Sequence, residues 1–115
     1  MSYKQFGGWQ KSMQLVFLIY EGTNIFPVEE RYGLVAQMRR SAVSIPSNIA
    51  EGYRRGTRRE YLRFLRIAFA SGGELETQLI VSGHLNYLEP RKHQLIESNL
   101  SEVMKIINAT IKRIS

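Results

Sequence analysis

The chain has 115 residues, of which 43% are hydrophobic and 23% charged, with a formal net charge of +6 and no cysteine. This length predicts a single domain over residues 1–115, and the lack of cysteine excludes disulfides, thiolate metal ligands and a thiol nucleophile. The longest apolar run has six residues, Leu15 to Tyr20, against roughly 20 for a membrane-spanning helix. We therefore expect a cytoplasmic protein with no membrane partner.

The first two helices are predicted from apolar residues at helical spacing. Helix one is expected from Trp9 to Phe26 and ends at Pro27. Helix two begins near residues 29–30, two glutamates whose charge suits the first turn of a helix, and extends to about residue 53. The stripes that these helices are expected to bury are Met13, Val16, Phe17, Tyr20 and Ile25, followed by Val35, Met38, Ala42, Ile45 and Ile49.

Helices three and four have clear start signals. A capping box opens helix three, in which the Thr57 hydroxyl accepts from the Glu60 amide while the Glu60 carboxylate reaches back. This helix is expected to end near Asn86, and Glu89 and Pro90 open helix four. The predicted buried stripes are Tyr61, Leu65, Ala68, Gly72, Leu75 and Leu79, and then Ile96, Leu100, Val103, Ile107, Ile111 and Ile114.

Pro46 interrupts the pattern of helix two. It lies inside the buried stripe and removes the hydrogen bond that its amide would give to the Ala42 carbonyl. We expect a kink there, with Ser44, Ser47 and Asn48 available to satisfy freed carbonyls. The predicted fold is an all-α, up-down four-helix bundle with a proline kink in helix two.

The excess positive charge lies in one quarter of the chain. Residues 39–66 contain eight arginines and two acidic residues, whereas the remainder contains eight basic and eight acidic residues. Such a concentration indicates a binding surface for a polyanion, and the alternative is a solvated charged face. Helical spacing points Arg59, Arg63 and Arg66 in one direction. The candidate nucleic-acid-binding residues are these three together with Arg54, Arg55 and Arg58.

Helix three has more apolar surface than one core requires. From Ile67 through Tyr61 to Leu62 its apolar side chains span about 220°, whereas a helix facing one core needs a stripe somewhat above about 100°. We therefore predict a homo-oligomer, with a centrally buried helix three as the alternative. Helix two supports the oligomer because the small residues of its polar face permit close approach of another helix; these are Ser41, Ser44, Ser47 and Asn48.

No catalytic or cofactor-binding motif is present. The sequence lacks the nucleophile elbow, the P-loop and the dinucleotide fingerprint, and His84 and His93 have no companions that would complete a metal site. Glu74 and Glu76 point about 200° apart on a helix and cannot form a carboxylate pair. Glu76 falls within the apolar arc, where a structural ion pair with Arg39 is expected. We expect no enzymatic activity, no catalytic residues, no cofactor and no metal.

Residues 37–53, QMRRSAVSIPSNIAEGY, closely resemble the hallmark of the 23S rRNA intervening-sequence proteins, also called the four-helix bundle or S23 family. Further matches are residues 9–11, 26–34, 60–65 and 74–79, so that the resemblance covers nearly the whole chain. Gly72 and Gly73 stand where the family is less rich in glycine, and their position within the helical period indicates close packing.

This resemblance implies a four-helix bundle that assembles as a ring-like homopentamer without enzymatic activity. Many members are encoded in insertions within bacterial 23S rRNA genes, and relatives are accessory proteins of diversity-generating retroelements that bind the reverse transcriptase and nucleic acid. Two functional hypotheses follow. One is an oligomer that binds nucleic acid, with RNA favoured, through its arginine-rich surface. The other is an accessory scaffold that docks another protein, such as a reverse transcriptase, without contacting nucleic acid.

Overall fold

Four helices make up the fold in the computed structural model, which describes residues 2–115. Each helix packs against the next, and α4 packs back against α1. Over residues 2–115 there is no strand, which confirms the all-α prediction, and none of the helices combines the length and apolarity needed to cross a membrane. The elements are a 3-10 turn (Tyr3–Gln5), α1 (Gly7–Thr23), a second 3-10 turn (Val28–Glu30), α2 (Leu34–Arg54), α3 (Arg58–His84) and α4 (Pro90–Ile114).

The buried stripes of α2, α3 and α4 confirm the predicted spacing. Every predicted position of α2 is buried, and those of α3 and α4 are buried apart from three half-buried residues. These three, Tyr61, Ile111 and Ile114, lie in the first turn of α3 and the last turn of α4, where fewer neighbours surround a side chain. Helical periodicity therefore located most of the core.

The predicted stripe of α1 is largely wrong. Its exposed members are Phe17, Tyr20 and Ile25, whereas the large apolar side chains that α1 buries are Leu15, Val16 and Ile19, of which the prediction included only Val16. Six consecutive apolar residues cover every direction around a helix, so periodicity alone cannot select the buried face. The buried face is the one that carries Gly8 and Gly22, which lie against the Ile106 and Ile96 side chains of α4.

The connection between α1 and α2 is longer than predicted. Helix α1 ends at Thr23, and residues 29–30 belong to a separate 3-10 turn. Helix α2 begins only after Gly33, whose φ of −105° and ψ of −109° are not helical. The two glutamates therefore do not occupy the first turn of α2.

Arg39 closes the end of α1. Its Nε donates to the Thr23 hydroxyl at 3.0 Å, and its terminal nitrogen donates to the Tyr20 carbonyl at 3.3 Å and to Asn24 Oδ1 at 3.1 Å. A cation suits the negative end of a helix dipole and satisfies its unpaired carbonyls. The predicted ion pair between Arg39 and Glu76 is wrong, since Glu76 is exposed to solvent on α3.

Small residues bring α2 and α3 close together. The hydroxyls of Ser44 and Ser71 form a hydrogen bond of 2.8 Å between the two helices, so that the small polar face of α2 is used in part within one chain. Helix α2 is helical on both sides of the buried Pro46. The Asn48 amide donates to the Ser44 carbonyl at 2.8 Å, two residues beyond the Ala42 carbonyl that the proline frees.

The glycines of the α3 contacts differ in what surrounds them. A Cβ at Gly72 would overlap Met104 of α4, which confirms close packing there, whereas a Cβ at Gly73 would meet nothing within 4 Å. A Cβ at Gly52 would lie 2.6 Å from Phe64 Cβ and 3.3 Å from the Tyr61 carbonyl oxygen. Gly52 therefore sets the distance between α2 and α3.

We predict that Gly52→Ala lowers the free energy of unfolding by about 1–2 kcal/mol, because α3 must move to admit the methyl group. Gly73→Ala is the matched control, since its methyl enters open space and alanine favours a helix by up to about 1 kcal/mol. Urea unfolding measures both variants. An equal loss of stability in the two would contradict the proposed role of Gly52.

Candidate nucleic-acid interface

The six predicted arginines lie at one end of the molecule and along the adjoining outer face of α3. Only residues 55–57 connect α2 to α3, and Gly56 has a φ of +84°, a left-handed conformation that favours glycine. This short turn places the last residue of α2 next to the first turn of α3. All six side chains are exposed: Arg54, Arg55, Arg58, Arg59, Arg63 and Arg66.

Three of these arginines share one face of α3, as predicted. Together with Leu62 and Ile67 they line a shallow depression on the helix surface. Among the ion pairs of residues 2–115, none involves Arg59 or Arg66. Both guanidinium groups are therefore available to an external anion.

Glu60 holds two other arginines. Its carboxylate accepts from Arg63 Nε at 2.9 Å, and Arg55 Nη1 lies 3.7 Å from it; Arg55 also pairs with Glu51 at 2.9 Å. The hydrogen bond from Arg63, aided by the charges of Arg63, Arg55 and Arg59, lowers the pKa of Glu60. The Thr57 hydroxyl accepts from the Glu60 amide at 3.2 Å, which confirms half of the capping box, while the Glu60 carboxylate faces the arginines.

An aromatic ring and a backbone carbonyl also contact arginines of this surface. The guanidinium groups of Arg55 and Arg63 lie 5.0 Å and 4.5 Å from the centre of the Phe64 ring. Arg58 Nε donates to the Ile114 carbonyl at 2.6 Å and so joins the start of α3 to the end of α4. Cation–π contacts and carbonyl bonds leave a guanidinium charged, so this surface stays strongly basic.

Sequence reasoning missed a chain of aromatic side chains at the same end, which we call the aromatic cluster: Tyr3, Trp9, Tyr53 and Tyr61. Ring centres are 5.5 Å apart for Tyr3 and Trp9, 6.2 Å for Tyr3 and Tyr53, and 6.1 Å for Tyr53 and Tyr61. Arg54 lies 5.5 Å from the Tyr3 ring centre. Partial burial raises the pKa of Tyr61, opposed by the nearby charge of Arg113. The available signal was the alternation of Tyr53 and Tyr61 with arginines along the sequence.

The two histidines lie away from this surface. His93 is half-buried, and its Nε2 lies 3.1 Å from the Leu79 carbonyl oxygen, so it joins α4 to α3. His84 is exposed in the last turn of α3. In the described part of the chain, no three histidine, aspartate or glutamate side chains converge on one point.

A second surface of α3 is apolar and exposed. Its exposed large side chains are Phe69 at 36% and Ile80 at 61%. Leu62, Phe69 and Ile80 follow one line along the helix at spacings of seven and eleven residues, which are close to whole numbers of turns. The surplus apolar surface predicted for helix three is thus exposed in the single chain.

Comparisons with known proteins identify the family and a solved structure of the same fold. A family model described as 23S rRNA-intervening sequence protein matches residues 4–109. The chain belongs to this family. The protein resembles the crystal structure of a protein with unknown function from the S23 ribosomal protein family of Bacteroides thetaiotaomicron. The TM-score is 0.82 and the sequence identity 22%, over 91% of this chain and 95% of that one. That likeness supports the fold, and no curated protein matches the chain.

We predict that Glu60→Gln makes the protein less sensitive to acid. Because the pKa of Glu60 is lowered in the folded state, its carboxylate stabilises the fold above its unfolded pKa, and this contribution is lost as the pH falls through the folded pKa. Between about pH 6 and about pH 3, Tm should fall less in Glu60→Gln than in the wild type. Glu74→Gln, exposed on the same helix, should follow the wild type. If Tm falls as much in Glu60→Gln as in the wild type, the stabilising role of the Glu60 carboxylate would be contradicted.

Proposed function

We propose that this protein is a non-enzymatic, oligomeric nucleic-acid-binding protein, with RNA favoured over DNA. The observation that supports this most directly is the exposure of six arginines on one connected surface, accompanied by only two acidic residues, Glu51 and Glu60. Arginine keeps its charge at all physiological pH values, and its planar group binds phosphate through two hydrogen bonds. The proposed contacts are Arg54, Arg55, Arg58, Arg59, Arg63 and Arg66.

The arginines divide into two groups with different expected roles. Arg59 and Arg66 project from α3 without an ion pair, so they supply the first phosphate contacts. Arg55 and Arg63 share Glu60, and they gain phosphate contacts by exchanging a carboxylate for a phosphate. RNA is favoured because guanidinium planes also stack on unpaired bases, which RNA loops present.

We predict that changing Arg59, Arg63 and Arg66 together to Glu abolishes binding to RNA and DNA while helicity and assembly are retained. The control changes Arg31, Arg91 and Lys105 to Glu; all three are exposed and lie outside this surface. In each variant three reversals of two charge units lower the net charge from +6 to zero. Only the first should lose binding, as measured by fluorescence anisotropy at about 50 mM and about 200 mM salt.

Equal affinities of the two charge-reversed proteins would show that net charge alone governs binding and that no localised surface exists. Unchanged affinity in the α3 variant at both salt concentrations would favour the scaffold hypothesis instead. The salt range matters because phosphate contacts release counterions, so their contribution weakens steeply with added salt.

We further propose that the chain forms an up-down four-helix bundle and assembles as a homo-oligomer, with the pentamer implied by the family resemblance. The line of half-buried Leu62 and exposed Phe69 and Ile80 supports this, because it gives a second copy an apolar surface on α3. A kink at Pro46 would set the angle at which subunits meet. Several copies would also multiply weak phosphate contacts through multivalency.

We predict that Ile80→Glu dissociates the oligomer to a mass near 13.3 kDa, because a carboxylate on the apolar line cannot be desolvated without a partner. Ile25→Glu is the matched control, since Ile25 is 66% exposed and Ile80 is 61% exposed, but Ile25 lies beyond the end of α1. Light scattering at micromolar concentration gives both masses. A wild-type mass near 13.3 kDa would contradict the proposed assembly.

The same apolar line supports a second candidate function, an accessory scaffold that docks another protein, such as a reverse transcriptase. Exposed apolar side chains on a helix are typical of sites where a partner helix packs. In that case binding of the partner would be lost in Ile80→Glu and retained in the arginine variant. If the protein instead binds nucleic acid, the arginine variant should lose that binding, whereas Ile80→Glu should keep the affinity of a single chain for nucleic acid.

A further inference from the structure

We infer that the aromatic cluster binds unpaired bases, with Tyr53 as the main stacking platform, so that the ligand is single-stranded nucleic acid. This inference rests on the proposed nucleic-acid-binding function and adds the class of ligand to it. Charge alone favours a duplex, whose phosphates are more densely spaced than those of a single strand. A preference for single strands therefore needs the aromatic rings beside the arginines.

The geometry of Tyr53 suits stacking. This side chain is 40% exposed and lies at the centre of the cluster. The plane of its ring makes angles of 68° with that of Tyr3 and 88° with that of Tyr61, so both contacts are edge-to-face rather than parallel. Bases stack in parallel on aromatic rings of this kind, whatever their sequence, because every base has a flat face.

The platform is held in place before any ligand binds. The Ser2 hydroxyl accepts from the Lys4 amide at 3.2 Å, and the Ser2 amide donates to Gln5 Oε1 at 3.0 Å, which caps the 3-10 turn that carries Tyr3. The Gln10 side chain donates to the Lys4 carbonyl at 2.9 Å and fastens this turn to α1. A ring that is already ordered loses little conformational entropy on stacking.

Two arginines lie beside the cluster and can contact the phosphates of a stacked strand. Arg54 lies 5.5 Å from the Tyr3 ring centre, and Arg113 is close enough to oppose the burial-induced rise in the pKa of Tyr61. The side chain of Arg58, at the start of α3, reaches the end of α4 and donates to the Ile114 carbonyl. Stacking platforms inside a positively charged surface are the combination that single-strand-binding proteins use.

A duplex could not use these rings, because its bases already stack on one another and present only their edges in the grooves. A strand without bases but with the same phosphates isolates the contribution of stacking. The test therefore compares oligothymidylate with an abasic strand of equal length, about 12 nucleotides, which is within the range that one small domain covers.

The experiment measures the dissociation constants of both strands by fluorescence anisotropy for the wild type, Tyr53→Leu, Tyr53→Phe and Tyr32→Leu. The wild type should bind oligothymidylate at least about five-fold more tightly than the abasic strand. In Tyr53→Leu this ratio should fall to about one, while Tyr53→Phe, which keeps the ring, should preserve it. Tyr32 is 88% exposed outside the cluster, so Tyr32→Leu should also preserve the ratio.

Each other outcome overturns a specific statement. Equal binding of the two strands by the wild type would overturn base stacking and leave the proposed phosphate-binding function intact. A ratio that survives in Tyr53→Leu would overturn the assignment to this cluster. Absence of binding to either strand would overturn the proposed function together with this inference.

A measurement on the wild type keeps the inference testable if Tyr53→Leu fails to fold. Trp9 is the single tryptophan of the chain and contacts Tyr3 in the cluster. Oligothymidylate should change the Trp9 fluorescence, and the abasic strand at saturating concentration should not. An identical change with both strands would overturn base stacking at this end.

Discussion

The close approach of α2 and α3 is the constraint on which the rest of the molecule depends. Gly52 gives space to the Phe64 side chain, and the Ser44 and Ser71 hydroxyls meet at 2.8 Å farther along the same contact. Because small residues let the helices approach closely at these points, a turn of three residues joins them. Arginines from two helices therefore share one surface, which neither helix would form alone.

Such a concentration of like charge destabilises a fold unless local contacts compensate for it. Here the compensation is distributed over groups of different kinds: the Glu60 carboxylate, the Phe64 ring and the Ile114 carbonyl. None of them buries a guanidinium group, so the positive charge remains at the surface. The arrangement reconciles a stable helix junction with a strongly basic exterior.

Sequence patterns located what depends on neighbours along the chain and missed what depends on distant ones. The Thr57 cap, the start of α4 at Pro90 and the core stripes of three helices all arise from local spacing, and all were predictable. The buried face of α1 was not predictable, because its apolar run covers every direction around the helix and the glycines that favour one face do so by contacting α4. The Arg39 contacts with the end of α1 and the contact between Tyr3 and Tyr53 join residues far apart in sequence, so no periodicity reports them. The common direction of Arg59, Arg63 and Arg66 was predictable from their helical spacing. The pairing of Glu60 with both Arg63 and Arg55 was not, because it depends on the turn between α2 and α3.

Both ends of the described chain meet the basic end of the molecule. The turn Tyr3–Gln5 packs on α2, and the Ile114 carbonyl bonds Arg58 at the start of α3. Any segment joined before residue 2 or after residue 115 would leave the fold beside the arginines. An affinity tag or fluorophore attached at either position would thus compete with ligands for that surface, and an acidic tag would neutralise it. The connection between α3 and α4, around residues 85–89, is a position at which a label would leave the basic end unobstructed.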